Sequence, residues 1–438
     1  MAIPQIKVPG LSQEGFQDAF QVLEECRIDV TPVDGFIYPF FAPGGLYGPN
    51  WWNIDSALAL DGYKWKDRAF AEKGLLNFVA AQKRDGRIKL YGPDHVPGYD
   101  EDISSLPKLF GVAYRLASES SDENFVREAY GLICRYLGWW LAKRRDAKTG
   151  LFSAVFEETF VPWLSKSGER AAVDTNVEIA VGCRCAALLA KRLKDAPAEA
   201  YYKKLEGEIA AAINKYLWWE EKGGYYAFDL RTHRHEDFHM ASCFLPLRLG
   251  IAPRERAGRL IEQLTDDSLF GWDTFPVTSA SKKDPQFTVT EGDYQFNASW
   301  SGSVWTTLNV GISQGLAESG YTSLAADLVY KTVCEFHGKY TEFLQPFNGS
   351  GHGVKRYAWT AAQYIQLIVE FMFGVRADGE NMSVSISPLL PESLAGQALE
   401  LEGLALPDGG TLSAKISDGK IAAEVKNSAY KLAEGRNL

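Results

Sequence analysis

The chain has 438 residues, 46% of them hydrophobic and 13% aromatic, and carries a formal net charge of -10. That apolar content is enough for a large ordered core, and the interspersed acidic and basic residues form no basic stripe, so nucleic acid is not an expected partner. No run approaches the roughly 20 apolar residues of a membrane span, and Met1-Ala2-Ile3-Pro4 lacks the regions of a signal peptide, which predicts a cytoplasmic protein with no membrane partner.

Apolar residues spaced three and four apart predict about twelve helices in chain order. They run near Phe16 to Cys26, Asn53 to Leu60, Trp65 to Gln82, Leu106 to Ala117, Phe125 to Lys143 and Val177 to Leu193. A stripe of Tyr202, Leu205, Ile209, Ile213, Tyr216 and Leu217 follows, then Phe238 to Leu249, Arg254 to Leu264, Val304 to Ala317, Leu324 to Phe336 and Thr360 to Phe373. After Gly374 the period changes to two, as in Met382 to Ser387, with turn signals at Pro407-Asp408-Gly409-Gly410 and Asp418-Gly419. The predicted organisation is an all-α main domain over 1–375, an (α/α)6 toroid of six inner and six outer helices, with a small β appendage over 380–438. An open solenoid would need a repeat of about 34 to 47 residues, and none is present.

The six cysteines lie in apolar pattern, and Cys183 and Cys185 would point about 200° apart on a helix, so neither a disulfide nor a metal pair is implied. His235 and His239 could share a helix face, but Thr232 to Phe238 reads as a polar turn. Neither a metal nor another cofactor is expected.

Three loops carry the chemistry. Tyr47, Trp51, Trp52, Asn53 and Asp55 set aromatic faces beside amide and carboxylate groups, the mixture a small carbohydrate needs for its C–H faces and hydroxyls. Adjacent tryptophans cannot share one core stripe, which favours a ligand over a plug in the barrel floor, with Asp55 capping a helix, as the bland alternative. The second loop holds Trp300 and Trp305, with Asn309 one turn beyond Trp305. The third places Glu342 ahead of a glycine-rich turn and Tyr357-Ala358-Trp359-Thr360.

These segments resemble the (α/α)6 clan that includes glycoside hydrolase family 63, the mannosylglycerate and glucosylglycerate hydrolases and, more distantly, the family 37 trehalases. Trp52-Asn53-Ile54-Asp55-Ser56 is similar to the clan's Trp-Asp-Ser/Thr with two residues inserted. Trp300-Ser301-Gly302-Ser303-Val304-Trp305 with Asn309 resembles Trp-Arg-Gly-Pro-Val-Trp followed by Asn. Glu342-Phe343-Leu344-Gln345-Pro346-Phe347-Asn348-Gly349, followed by Tyr357-Ala358-Trp359-Thr360-Ala361-Ala362, resembles the segment that carries the general base.

The resemblance spans about residues 36 to 375 and implies an inverting hydrolase of a small α-linked glucoside or mannoside. Glu342 would be its base, and Tyr47, Trp51, Trp52, Asn53, Asp55, Trp300, Trp305, Asn309 and Trp359 its substrate contacts. The clan's Glu-Ser-Gly-x-Asp acid motif is missing. Its region holds Phe156-Glu157-Glu158-Thr159-Phe160-Val161-Pro162-Trp163, where only one glutamate can face a pocket. Glu158 is the favoured acid, with Glu157 and Asp174 as rivals; Asp174 belongs to a Val-Asp-Thr-Asn element similar to the clan's Val-Asp-Leu-Asn, beside a capping box read from Thr175 and Glu178. Ser301 stands where the clan has Arg, which weighs against an anionic aglycone. A sugar epimerase or polysaccharide lyase using His95, His239 or His352, and a noncatalytic sugar-binding protein, are the alternatives.

Overall fold

Helices buried on every side alternate along the chain with helices buried on one side. The computed structural model describes residues 3–29, 33–92, 103–161, 169–289 and 299–433. Asn53–Tyr63 and Ala358–Gln366 are buried at every position, and Val173–Arg192 and Thr306–Glu318 nearly so. Gln13–Glu25, Ala196–Ala212 and Arg254–Leu264 instead bury one stripe and keep charged residues outward. The first set forms an inner ring. Asn53–Tyr63 packs on Leu109–Glu119, which packs on Val173–Arg192, then Ala241–Gly250, Thr306–Glu318 and Ala358–Gln366, which returns to Asn53–Tyr63.

Ring closure requires close backbones. A side chain at Gly62 would place its Cβ 2.4 Å from the carbonyl oxygen of Ala362, so glycine lets the first and last inner helices meet. One ring member departs from the sequence expectation of a helix over Phe238 to Leu249. Ala241–Gly250 is a 3-10 segment, because Pro246 lies inside it and Arg248 and Leu249 leave helical geometry.

At the C-terminal ends of three inner elements, Lys64 Nζ lies 3.1 Å from Asp61, 2.7 Å from Glu119 and 2.8 Å from Glu370, all buried. Arg115 and Arg68 extend the network to Asp61 and Glu119. The cations hold Asp61 down to about 2 despite its burial.

Beyond Gly374 the chain forms the β region that the period-two pattern predicts. Leu399–Ala405, Thr411–Ser417 and Lys420–Lys426 make an antiparallel sheet, and the N-terminal strand Gln5–Lys7 adds to its edge along Leu399–Ala405. A second sheet joins Val375–Asp378, Ser383–Ile386 and Lys431–Leu432, and the Tyr430 hydroxyl donates to the Glu119 carbonyl at the toroid floor. No described helix is long and apolar enough to cross a membrane.

Candidate active site

Opposite the Lys64 floor, the N-terminal starts of the inner helices converge on a cavity of about 220 Å³. Three carboxylates, Asp55, Glu157 and Glu342, share its wall with Tyr47, Trp52, Phe156, Phe160, Tyr357 and Trp359. The position is set locally. Asp55 lies in the first turn of Asn53–Tyr63, and Tyr357 immediately precedes Ala358–Gln366. Helix N-termini carry partial positive charge, which opposes the cost of gathering acidic groups there.

Glu342 opens a short hairpin, Phe343–Leu344 paired with Gly351–His352, so its backbone is fixed on both sides. Its Oε1 accepts from the Tyr47 hydroxyl at 2.9 Å and its Oε2 from the Val354 amide at 3.0 Å. Gly353 takes a positive φ of 71°, and a Cβ there would stand 2.6 Å from Glu342 Oε2, so the glycine makes room for the carboxylate. Burial pushes Glu342 up to about 8; the two hydrogen bonds pull it down, and the charges of Asp55 and Glu157 push it further up. Asp55 accepts from the Tyr357 hydroxyl at 2.6 Å, and burial pushes it up to about 7. At neutral pH such a cluster keeps at least part of its protons.

The model of the mannosylglycerate hydrolase MGH1-like glycoside hydrolase domain matches residues 48–360. The chain belongs to this glycoside hydrolase family. A mannosylglycerate hydrolase of Rubrobacter radiotolerans is 30% identical over 186 residues, which are 42% of this chain and 40% of that protein, so the match spans less than half the relative's length. The fold is shared with a Thermus thermophilus mannosylglycerate hydrolase of family GH63 solved with glucose, at a TM-score of 0.65 and 20% identity over 80% of this chain and 98% of that one. It is shared also with the neutral trehalase Nth1 of Saccharomyces cerevisiae, at a TM-score of 0.59 and 16% identity over 76% of this chain and 73% of that one.

Within this family member, the loop between Val155 and Val161 departs from one sequence expectation. Glu158 is not in the cavity wall. It is wholly buried behind the loop, where Arg144 donates to both its oxygens at 2.8 Å and the Ser104 and Val155 amides add two more donors. Glu157 takes the cavity side, through a left-handed backbone at φ 71°. Asp174 is buried as well, accepting from the Thr159 hydroxyl and the Phe160 amide at 2.7 Å each. The capping box also fails, since the helix starts at Val173, the Thr175 hydroxyl donates to the Glu158 carbonyl, and Glu178 accepts from Lys108 and Arg248.

The aromatic residues divide into wall and backing. Trp52 and Trp359 line the cavity with Tyr47, whereas Trp51 is buried in the core, stacked on Phe36 at 4.3 Å. Adjacent tryptophans in an extended pair point to opposite sides, so Trp52 faces the cavity and Trp51 the core. Trp300 stacks between Phe160 at 4.3 Å and Trp305 at 3.8 Å, so both tryptophans support the wall from behind. Asn309 clamps the Pro276 carbonyl, the Val277 amide and the Thr332 hydroxyl, and Asn53 donates to the Lys89 carbonyl. Asn309 is structural here, because its amide supplies donor and acceptor to buried groups as readily as to a sugar, whereas Asn53 uses only its donor and its buried Oδ1 has no hydrogen-bond partner among the described residues. Asp55 sits inside the first turn of its helix, with Trp52 at the cap position.

Cavity-wall residues outside the predicted contacts include Tyr357, Phe156 and Phe160. Tyr357 heads the Tyr357-Ala358-Trp359-Thr360 string, and the two phenylalanines flank the paired glutamates, so position beside a carboxylate motif was the available signal. His239 stacks on Tyr226 and bonds Cys243, and His352 meets Ser350, both outside the cavity wall; His95, Pro162 and Trp163 lie outside the described residues.

Proposed function

We propose that this enzyme hydrolyses a small α-linked glucoside or mannoside with inversion, on an (α/α)6 toroid, with Glu342 as general base and Glu157 as general acid. The observation that carries the reading is that these two carboxylates share one aromatic-walled cavity, close enough that the charge of Glu157 bears on Glu342. Inverting enzymes separate such a pair by about 6.5 to 9.5 Å, leaving room for the attacking water. Glu157 protonates the glycosidic oxygen while Glu342, oriented by Tyr47 and Val354, takes a proton from that water.

Asp55, fixed by Tyr357, is placed to accept from glycone hydroxyls, and Trp52 offers a face for the ring. The buried indole N–H of Trp359, with no hydrogen-bond partner among the described residues, supplies a donor that a sugar oxygen would satisfy. Mannosylglycerate hydrolases among the relatives support a small glycoside as substrate. The epimerase and lyase readings gain no support from the candidate histidines, none of which lies among the described residues of the wall.

The test is a panel of α-glucosides and α-mannosides, glycerate and neutral aglycones included, assayed for released sugar with wild type, Glu342→Gln and Glu157→Gln. Release by wild type, with a loss of at least about 100-fold in Glu342→Gln, supports the assignment. Release that survives Glu342→Gln, or none from any α-glycoside, rejects it.

A further inference from the structure

Glutamate at a φ of 71° is held in a backbone region that non-glycine residues rarely adopt, so its surroundings must impose it. The fastenings are consecutive. The Leu106 amide donates to the Glu157 carbonyl at 2.9 Å, and the Glu158 amide closes a turn onto the Val155 carbonyl at 3.0 Å. The Glu158 carboxylate takes four donors, two from Arg144 and one each from the Ser104 and Val155 amides, and its carbonyl accepts from Thr175. The next two residues, Thr159 and Phe160, are both tied to Asp174 in the first turn of Val173–Arg192.

We propose that the Arg144–Glu158 ion pair and the Asp174 brace are positioning devices for Glu157, locking its left-handed backbone so that its carboxyl enters the cavity. The inference rests on the reading of Glu157 as proton donor. Burying an ion pair brings little net stability, since desolvation offsets the attraction. What a bidentate, four-donor carboxylate does supply is a fixed direction. Val155 and Glu158 are anchored off the cavity wall and the backbone amide of Phe160 is held by Asp174, so Glu157 between them has one way to face. Glu158 and Asp174 therefore act through Glu157 and touch no substrate.

A general acid matters in proportion to how poor the leaving group is, and a merely structural lesion lowers all substrates alike. Turnover of an alkyl α-glycoside and of the α-glycosyl fluoride of the same sugar is to be compared in wild type, Glu157→Gln, Glu158→Gln and Thr159→Val. Glu157→Gln should lose at least about 100-fold on the alkyl glycoside and far less on the fluoride. Glu158→Gln should repeat that selectivity at about 10- to 100-fold, the scale of a misplaced group, with the alkyl KM within about threefold of wild type. Thr159→Val loosens the brace without stranding a charge, and should show the same selectivity at about 3- to 10-fold if Glu158→Gln fails to fold. Equal losses on both substrates, or no loss, in Glu158→Gln and Thr159→Val beside a selective Glu157→Gln would overturn the positioning role alone. An unselective Glu157→Gln would overturn the donor assignment and this inference with it.

Discussion

The hydroxyl of Tyr47 donates to Oε1 of Glu342 across 295 residues of sequence, at 2.9 Å, in a cavity where burial works against the charged carboxylate. This hydrogen bond favours the ionised form that a general base requires. Glu342 nonetheless stands at about 8, so the acid limb of kcat/KM should lie well above the ordinary carboxylate range. In Tyr47→Phe the limb should move further up in pH. One hydrogen bond of about 1 kcal/mol makes the loss roughly fivefold at a pH on that limb. A pH profile of kcat/KM for both enzymes checks it; a limb that moves down would show that Tyr47 stabilises the neutral acid.

Stability should show the same group with the opposite consequence. The folded state holds the Glu342 proton more tightly than the unfolded chain, whose value is near 4.5. The penalty is therefore absent below about pH 4.5, grows as pH rises toward about 8, and is constant above. Glu342→Gln removes it, so the Tm of the variant relative to wild type should climb through that window, by up to a few kcal/mol in stability, while turnover collapses. Thermal melts from pH 4 to 9 read this directly, and a Tm difference that falls with pH would contradict the raised value.

The two tryptophans of the Trp51–Trp52 strand should separate by phenotype. Trp51→Ala removes a core ring stacked on Phe36 and should cost about 3–5 kcal/mol of stability. Trp52→Ala opens the cavity wall and should raise KM about two- to tenfold, the range of one lost stacking contact. Denaturation midpoints and KM, measured on both variants, would refute the division if the effects were exchanged.

Sequence patterning makes the helices legible because inner and outer positions differ in how much of their circumference is buried, which apolar spacing records. Arg254–Leu264 has the predicted limits. Ala241–Gly250 reads as a helix in sequence since periodicity counts apolar residues and is blind to the backbone turn at Arg248 and Leu249. The same blindness explains the acid loop. Glu157 and Glu158 are chemically alike, and what divides them is a positive φ at one and an arginine fourteen residues upstream of the other. The cavity positions of Glu342 and Asp55 are legible because each lies in a segment that sets a carboxylate beside aromatic residues, which is the pattern the wall displays. Asn309 matches the pattern of a sugar ligand but answers buried groups of its own chain instead.

Lys64 is the strongest test of the toroid floor. Its loss leaves Asp61, Glu119 and Glu370 close together without their shared cation, so Lys64→Met should destabilise by about 3–5 kcal/mol. The cavity lies at the opposite end, so KM should hardly change at temperatures where the variant stays folded. Chemical denaturation with kinetics on the folded fraction decides this; unchanged stability would mean that the network relaxes.

The most direct measurement of the central claim is the anomer first released, followed by proton NMR during hydrolysis of an α-glucoside or α-mannoside before mutarotation sets in. Glu342 and Glu157, acting as base and acid on opposite faces of C1, predict the β-anomer as first product. The α-anomer appearing first would mean retention, and would contradict the role given to Glu342.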